Sequence, residues 1–222
     1  MAFASSENFK TPIGRFSYVQ NMFTRVSKKD NAGNVIMKDG KPVTEQQMTL
    51  IFNNSDDRSA FEAAIKSVIV EQWGEKGLER AKSGLIRLPF LKGDGKEARN
   101  KKTGEINPGL GEDKWFIRVA TRMEAPIRFR SANIPATFGN NDDQIKSGDF
   151  GFAVLHAYAW HNDQNGDGVS FGIDYLQKTK AGESLGGSGG GVNVDDVFEQ
   201  VEDAGEAPAS TKSGEGAGGL FG

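Results

Sequence analysis

Residues 149–160 read Asp149-Phe150-Gly151-Phe152-Ala153-Val154-Leu155-His156-Ala157-Tyr158-Ala159-Trp160, and their alternation decides the fold. Successive side chains of a β-strand point to opposite faces. One face of this stretch is Gly151, Ala153, Leu155, Ala157 and Ala159. Residues this small suit the inside of a tightly curved barrel. The other face carries Phe150, Phe152, Val154, His156, Tyr158 and Trp160, a run of rings presented to something outside the barrel.

Working outward from this strand, further strands are predicted at 114–122, 126–132 and 169–177. The last is joined to 149–160 by the turn His161-Asn162-Asp163-Gln164-Asn165-Gly166-Asp167-Gly168. Aromatic and β-branched residues predict a long strand over 14–26 and a second over Gln47–Phe52. Between them Asn31–Asn34 and Lys38–Pro42 are turn signals, and Val35-Ile36-Met37 reads as a short hairpin arm. Asn54-Ser55-Asp56-Asp57 opens a helix, with Ser55 or Asn54 as its cap and the aspartates at the positive end of its dipole. Phe61, Ala64, Ile65, Val68, Ile69 and Trp73 form its apolar stripe, and it frays near Gly74 or Gly77. Leu85–Leu91 reads as a short strand. From Lys92 to Asp113 apolar residues are few, which predicts a long loop without structure of its own. The fold class is therefore mainly β, a barrel or sandwich with one prominent α-helix. The predicted organisation is an N-terminal arm (1–13), a body (14–180) and a tail (181–222).

The tail differs in kind from the body. From Ala181 onward the chain is rich in Gly, Ser and Ala and carries eight acids against one base, Lys212, a net −7. The whole chain is −3, so residues 1–180 carry +4. A mildly basic body with a flexible acidic tail is an arrangement in which the tail occupies the body's own anion-binding surface. The body's cations have partners in the strand pattern. Lys114, Phe116, Arg118 and Arg122 share one face of 114–122, opposite Trp115, Ile117 and Val119, while Arg128 and Arg130 share one face of 126–132. Cations around a ring, beside a strand of exposed rings, are what a single-stranded nucleic-acid platform requires: the cations neutralise phosphates and the rings stack bases. The loop cations Lys92, Lys96, Arg99, Lys101 and Lys102 form a candidate electrostatic flap. The same letters also describe rings packed under a loop or a partner subunit, with the bases on an ordinary solvated face.

Other chemistry is poorly supported. There is no cysteine, which excludes disulfides and thiolate metal sites and fits a reducing cytoplasm. No window approaches the ~18–20 apolar residues of a membrane span, and Met1–Lys10 lacks the features of a secretory signal. Asp163, Asn165, Asp167 and Gly168 match the first half of a calcium loop, but strands flank them, Ser170 stands where an apolar residue is usual, and Asp174 where a glutamate is usual. A hairpin turn explains the same residues. His156 and His161 are the only histidines and have no metal-ligand spacing. Gly186–Gly191 (GGSGGG) reads as a linker, not a phosphate loop. No cofactor is expected.

The run Gly148–Phe152 leading into Ala157-Tyr158-Ala159-Trp160, then Gly168-Val169-Ser170-Phe171-Gly172-Ile173-Asp174-Tyr175-Leu176-Gln177 and Gly182–Gly187, resembles a bacteriophage family long catalogued as a domain of unknown function. That family includes phage single-stranded-DNA-binding proteins with an OB-fold and an acidic C-terminal tail. The opening strand Gly14–Val26, the strand Gln47–Phe52 and the helix from Asp56 fit the same layout, so the likeness spans about Gly14 to Gly187. It implies an OB-fold β-barrel, sequence-independent binding of single-stranded DNA during replication or recombination, no enzymatic activity, and action in the host-cell cytoplasm. By position it points to Tyr158 and Trp160, with His156 beside them. Duplex DNA is a second partner, since phosphate contacts need no open bases. The tail would dock replication or recombination proteins through Asp195, Asp196, Phe198, Glu199 and Phe221. It departs from the pattern in which acids precede a terminal aromatic, since the chain ends Leu220-Phe221-Gly222. A homo-oligomer is compatible with the sequence. The competing classes are a phage structural or assembly protein whose rings bury against other subunits, and a nuclease holding magnesium on Asp163, Asp167 and Asp174.

Overall fold

The small-residue face of 149–160 does line a barrel. The computed structural model describes residues 3–30, 33–123, 127–129, 131, 134–163 and 165–185. Among these the strands in chain order are β1 (Phe9–Lys10), β2 (Gly14–Ser17), β3 (Val26–Ser27), β4 (Met37–Lys38), β5 (Lys41–Pro42), β6 (Thr44–Asn53), β7 (Ile86–Arg87), β8 (Leu91–Lys92), β9 (Lys114–Thr121), β10 (Ile127–Arg128), β11 (Phe150–Asn162) and β12 (Gly166–Lys180). Two helices, α1 (Ser59–Trp73) and α2 (Glu75–Lys82), lie between β6 and β7. Five strands close on themselves. β2 pairs antiparallel with β6, β6 with β9, β9 runs parallel to β12, β12 pairs antiparallel with β11, and β11 returns to β2. This neighbour order, first-second-third-fifth-fourth and back to first, is the OB-fold's five-stranded Greek-key barrel.

Ala153, Leu155, Ala157 and Ala159 are buried inside it. Facing them are Phe16, Leu50, Ile117, Val119, Phe171 and Ile173, all buried. α1 plugs one end of the barrel through the predicted stripe. Its Phe61 is a hub, edge-on to Phe9 (5.3 Å), Trp115 (5.4 Å), Phe52 (5.5 Å) and Phe171 (5.6 Å). Edge-to-face pairs add to the area each ring buries. A buried ion pair ties the bottom of the barrel: Lys178 Nζ lies 3.0 Å from Asp149 Oδ2 and donates to the carbonyl of Gln144 at 2.6 Å.

The structure corrects several expected elements. The strand expected over 14–26 ends at Ser17. Tyr18 takes φ 56° and ψ 30°, and Val19–Met22 forms a 3₁₀ turn that buries Val19 and Met22. Strand propensity loses here to three-residue spacing of apolar side chains over a core. The helix begins at Ser59, three or more residues after the expected caps, with no side-chain cap on Arg58. Instead Asp57 accepts the Ser59 N–H at 2.9 Å and hydroxyl at 2.8 Å. These bonds hold the Asp57 carboxyl below the usual aspartate value. Past Gly74 (φ 68°) a second helix follows, and Gly77 sits inside it. A side chain at 77 would meet Ile69 and Trp73, so this glycine serves helix packing, not fraying. Leu85–Leu91 is not one strand but the separate β7 and the start of β8.

The loop expected over 92–113 has structure. It holds a 3₁₀ turn at Lys96–Ala98 and a bridge between Arg99 and Ile106, and it buries Ala98. The strand expected over 126–132 shrinks to β10, which runs parallel to β12. The predicted arm is also part of the body. Ser5 bridges Tyr158 and β1 pairs with Val154 and Leu155, so residues before Gly14 extend the sheet beside β11. At the other boundary, Gly182 N–H donates to Asp149 Oδ1 at 3.1 Å and Leu185 is buried, so packing continues five residues beyond Lys180.

Candidate nucleic-acid interface

The outer rings of β11 have a prepared bed on β12. The register sets Trp160 opposite Gly168, Tyr158 opposite Ser170 and His156 opposite Gly172. A Cβ at 168 would run into the Trp160 indole, and one at 172 into the His156 imidazole. The two glycines therefore let these rings lie down across the strand. Polar tips fix them: Trp160 Nε1–H donates to Ser170 Oγ at 2.9 Å, and His156 Nδ1 lies 2.6 Å from Asp174 Oδ2. All three rings stay half-buried. Burial pushes the Tyr158 phenol above its ordinary pKa, with the Glu45 carboxylate adding to the shift. At the far end of the same face, Lys10 Nζ stands 3.8 Å over the Phe152 ring and Arg15 lies 5.6 Å from that of Phe150.

The three rings line a groove of about 1030 Å³ together with Arg122, Lys28, Lys29 and exposed Phe3, and with the carboxylates of Asp30, Glu45 and Asp174. Beyond Trp160 the hairpin turn is pinned. Arg80 lies 2.5 Å from Asp167 Oδ2, and His161 Nδ1 lies 2.8 Å from Asp167 Oδ1, with Asp163 3.3 Å from Nε2. The hydrogen bond to Asp167 is the main reason the His161 pKa stands above its usual value, and the same bond lowers that of Asp167. The carboxylate central to the calcium-loop match is thus engaged by a guanidinium and an imidazole. Among the described residues no group of three or more metal-ligating side chains forms.

A second groove of about 510 Å³ lies over β6 and the Phe116 end of β9. Arg99, Lys101 and Arg118 line it with Tyr18, and Glu97 is the one carboxylate among its lining residues. Arg118 donates to the Glu97 carbonyl at 2.9 Å and Arg99 to the Gly104 carbonyl at 3.1 Å. Both guanidiniums are thereby oriented without being neutralised.

The grooves meet on one face. Along β9 the outward positions are Phe116, Arg118, Ala120 and then Arg122, matched on β6 by Ile51, Thr49 and Gln47. Gln47 lines one groove, its cross-strand partner Ala120 lines the other. From Arg118 to Arg122 the strand geometry gives about 13 Å.

The candidate residues divide accordingly. Arg122, His156, Tyr158 and Trp160 come together in the first groove, and Arg99, Lys101 and Arg118 in the second. Phe116 is not an open stacking ring. It is 1% exposed, packed with Ile51, Ala98 and Leu185 because the 92–111 segment folds over it. Lys114 is held by the carboxylate of Asp113 and by Asn53, 2.9 Å away. Lys92, Lys96 and Lys102 are exposed but line neither groove. Arg128 is half-buried beside β12 and also lines neither. Arg130 and the tail residues Asp195, Asp196, Phe198, Glu199 and Phe221 lie outside the described residues. Sequence reasoning missed Tyr18, Lys28, Lys29 and Phe3. The Lys28-Lys29 pair just before a turn was the one available signal.

The profile of the family described as "Enterobacter phage Enc34, ssDNA-binding protein" matches residues 15–208. Among solved structures, the single-stranded DNA-binding protein from bacteriophage Enc34 in complex with ssDNA shares the fold with a TM-score of 0.50. The two are 15% identical, over 81% of this chain and 89% of that one. Gp2.5, a single-stranded DNA binding protein encoded by bacteriophage T7, aligns with a TM-score of 0.47 at 12% identity, over 90% of this chain and 100% of that one. No curated protein matches in sequence.

Proposed function

Because the chain belongs to the family of the Enterobacter phage Enc34 single-stranded-DNA-binding protein, we propose that it binds single-stranded DNA across the outer face of β6, β9, β11 and β12. The observation that carries this reading is the seating of Trp160 and His156 over Gly168 and Gly172, with Tyr158 between them. A sheet that forgoes side chains to lay rings flat offers stacking faces, and every base has a π-face, so the binding is sequence-tolerant. Arg122 and Lys29 supply phosphate contacts along the same groove, while Lys28 is paired with Glu45 at 3.4 Å. The role is passive: protection and organisation of DNA during phage replication or recombination inside the host cell, with no catalytic step. No described helix is long and apolar enough to cross a membrane.

Duplex DNA binds more weakly through the same cations, because the rings find no unstacked base. The acidic segment from Asp195 competes with DNA for the cationic grooves and also recruits replication or recombination proteins. Leu185 supports this reading: it packs on Phe116 and Leu110, two residues that line the second groove, so the tail is rooted beside it. The ten residues from there to Asp195 can extend at most ~35 Å.

The test is a fluorescence titration with oligo(dT) at two salt concentrations, on the full chain and on Trp160→Ala. The expected result is quenched tryptophan emission and a loss of ~1–3 kcal/mol for the variant. No change of emission or mobility at low salt removes the reading. Concentration-dependent self-association without DNA affinity would favour a structural protein, and magnesium-dependent cleavage of DNA would make it a nuclease.

A further inference from the structure

Among the described residues other than glycine, Tyr18 and Asp39 have positive φ, and of the two only Tyr18 carries a ring. Gly14 and Phe16 point inward along β2, and Phe16 is fully buried. Alternation would send residue 18 inward as well. Instead Tyr18 adopts the left-handed conformation, φ 56° and ψ 30°, which is strained for a residue with a bulky side chain. The inversion hands the interior position to Val19, fully buried, whose N–H donates to Ser147 Oγ at 3.2 Å. The Tyr18 ring is left 46% exposed, and among the described residues its hydroxyl makes a long 3.5 Å contact to Asn107 Oδ1.

What the ring faces gives the strain a use. It lines the second groove with Arg99, Lys101 and Arg118. None of these three cations has a carboxylate within ion-pair distance among the described residues. Asn21 and Gln47 line the same groove and add amide groups that can donate to or accept from any base edge. A ring, uncompensated cations and adaptable amides in one open groove fit a nucleotide whose base is unstacked, and Phe116 beneath is too deeply buried to serve as that ring.

We propose that Tyr18 is a second base-stacking station, which binds one nucleotide of a bound strand by its base while Arg118 and Arg99 take the adjoining phosphates. The proposal rests on the reading of the Trp160 groove as a single-stranded-DNA site, and it adds that the strand continues past the Gln47–Ala120 pair into a second groove. The full site is then filled only by an oligonucleotide long enough to span both. A short one occupies either groove alone.

The experiment uses the full chain, (dT)4 and (dT)16, lengths that bracket the usual site size of one OB-fold. Four proteins are compared: wild type, Tyr18→Gly, Tyr18→Phe and Trp160→Ala. Glycine removes the ring and relieves the left-handed backbone at once. Tyr18→Gly is expected to melt at the same temperature as wild type or higher, yet to bind (dT)16 about 5- to 160-fold more weakly. It should bind (dT)4 within about 2-fold of wild type, because the Trp160 groove remains. Tyr18→Phe should bind (dT)16 like wild type. Wild-type affinity of Tyr18→Gly for (dT)16, beside a weakened Trp160→Ala, overturns the second station and leaves the first reading standing. A lower melting temperature for Tyr18→Gly shows that the ring holds the fold and overturns the proposal too. Should Trp160→Ala bind (dT)16 as wild type does, it is the underlying reading that fails.

Discussion

The Trp160 indole occupies the space that a side chain on Gly168 would need. Gly168 lies directly across the β11–β12 ladder and has no left-handed backbone of its own. The three atoms nearest to a methyl group placed there all belong to the indole. Gly168→Ala should therefore displace Trp160 from the sheet and break its 2.9 Å hydrogen bond to Ser170. The expected loss of single-stranded-DNA affinity is ~1–3 kcal/mol, that of one stacked base. Tryptophan emission of the free variant should also shift. Oligonucleotide titration of Gly168→Ala beside Trp160→Ala checks this. Equal affinity for Gly168→Ala and wild type would show that the flat seat has no part in binding.

The cations should separate by salt dependence. Arg118 stands on the outer face of β9 and Arg122 just past its end, each lining a groove, and neither pairs with a carboxylate among the described residues. Each phosphate lost from a single strand lowers the slope of log K against log salt by ~0.7. Arg118→Ala and Arg122→Ala are each expected to reduce the slope by about that amount. Lys114→Ala should leave it unchanged, because Asp113 already holds that ammonium. Titrations at four or more salt concentrations give the slopes directly.

How much of this was legible in the sequence depends on the range of the forces involved. Strict alternation over 149–160 named the inside and outside of β11 correctly, because a strand's two faces follow from period two alone. The stripe of α1 was legible for the same reason. Phe116 was misread as open, since its cover comes from residues 92–111 and Leu185, which alternation along β9 cannot report. Tyr18 was invisible: nothing local marks the residue at which β2 must yield the interior to Val19. The glycines at 168 and 172 were part of a recognisable motif, but their purpose emerges only from the register that sets them under Trp160 and His156.

The end of the body also makes a testable distinction. Leu185 is packed with Ile51, Ala98 and Phe116, and Gly109 approaches it too closely to carry a side chain. A chain ending at Gly187 should lose the acids from Asp195 onward, keep its melting temperature and bind DNA more tightly. A chain ending at Lys180 removes Leu185 as well, and losing a buried leucine costs about 2–5 kcal/mol. Thermal melts and DNA titrations of the two truncations check this. If the chain ending at Gly187 bound DNA no better than the full chain, competition by the tail would be ruled out.

The hairpin turn should respond to pH through His161. Asp167 first, and Asp163 after it, hold the imidazole pKa above its ordinary value, and Arg80 shares the Asp167 carboxylate. A group whose pKa is raised on folding contributes stability that is complete below the unfolded value, about 6.5, and that fades as pH rises through the folded value. The turn should therefore be held best in mildly acid solution and loosen in mildly alkaline solution. Proton NMR of the His161 ring should show a midpoint above that of a free histidine, and Asp167→Asn should bring it down. An unshifted midpoint in the wild type would exclude the pairing.

Lys178 and Asp149 are the deepest charges described, with side chains 2% and 0% exposed. Each is fully engaged: the ammonium donates to the Gln144 carbonyl, and the carboxylate accepts the N–H groups of Lys146 at 3.0 Å and Gly182 at 3.1 Å. Removing one partner of such a pair strands the other in the core, which costs about 3–5 kcal/mol. Lys178→Met should show this loss in urea denaturation. Adding Asp149→Asn should restore part of it, because the amide oxygen still accepts one of those N–H groups and no charge is left buried. Both variants keep Trp160 and Arg122 in place, so their DNA affinity at low denaturant should match wild type. A Lys178→Met protein as stable as wild type would show that the pair contributes nothing to holding residues 144–149 and 182 against the barrel.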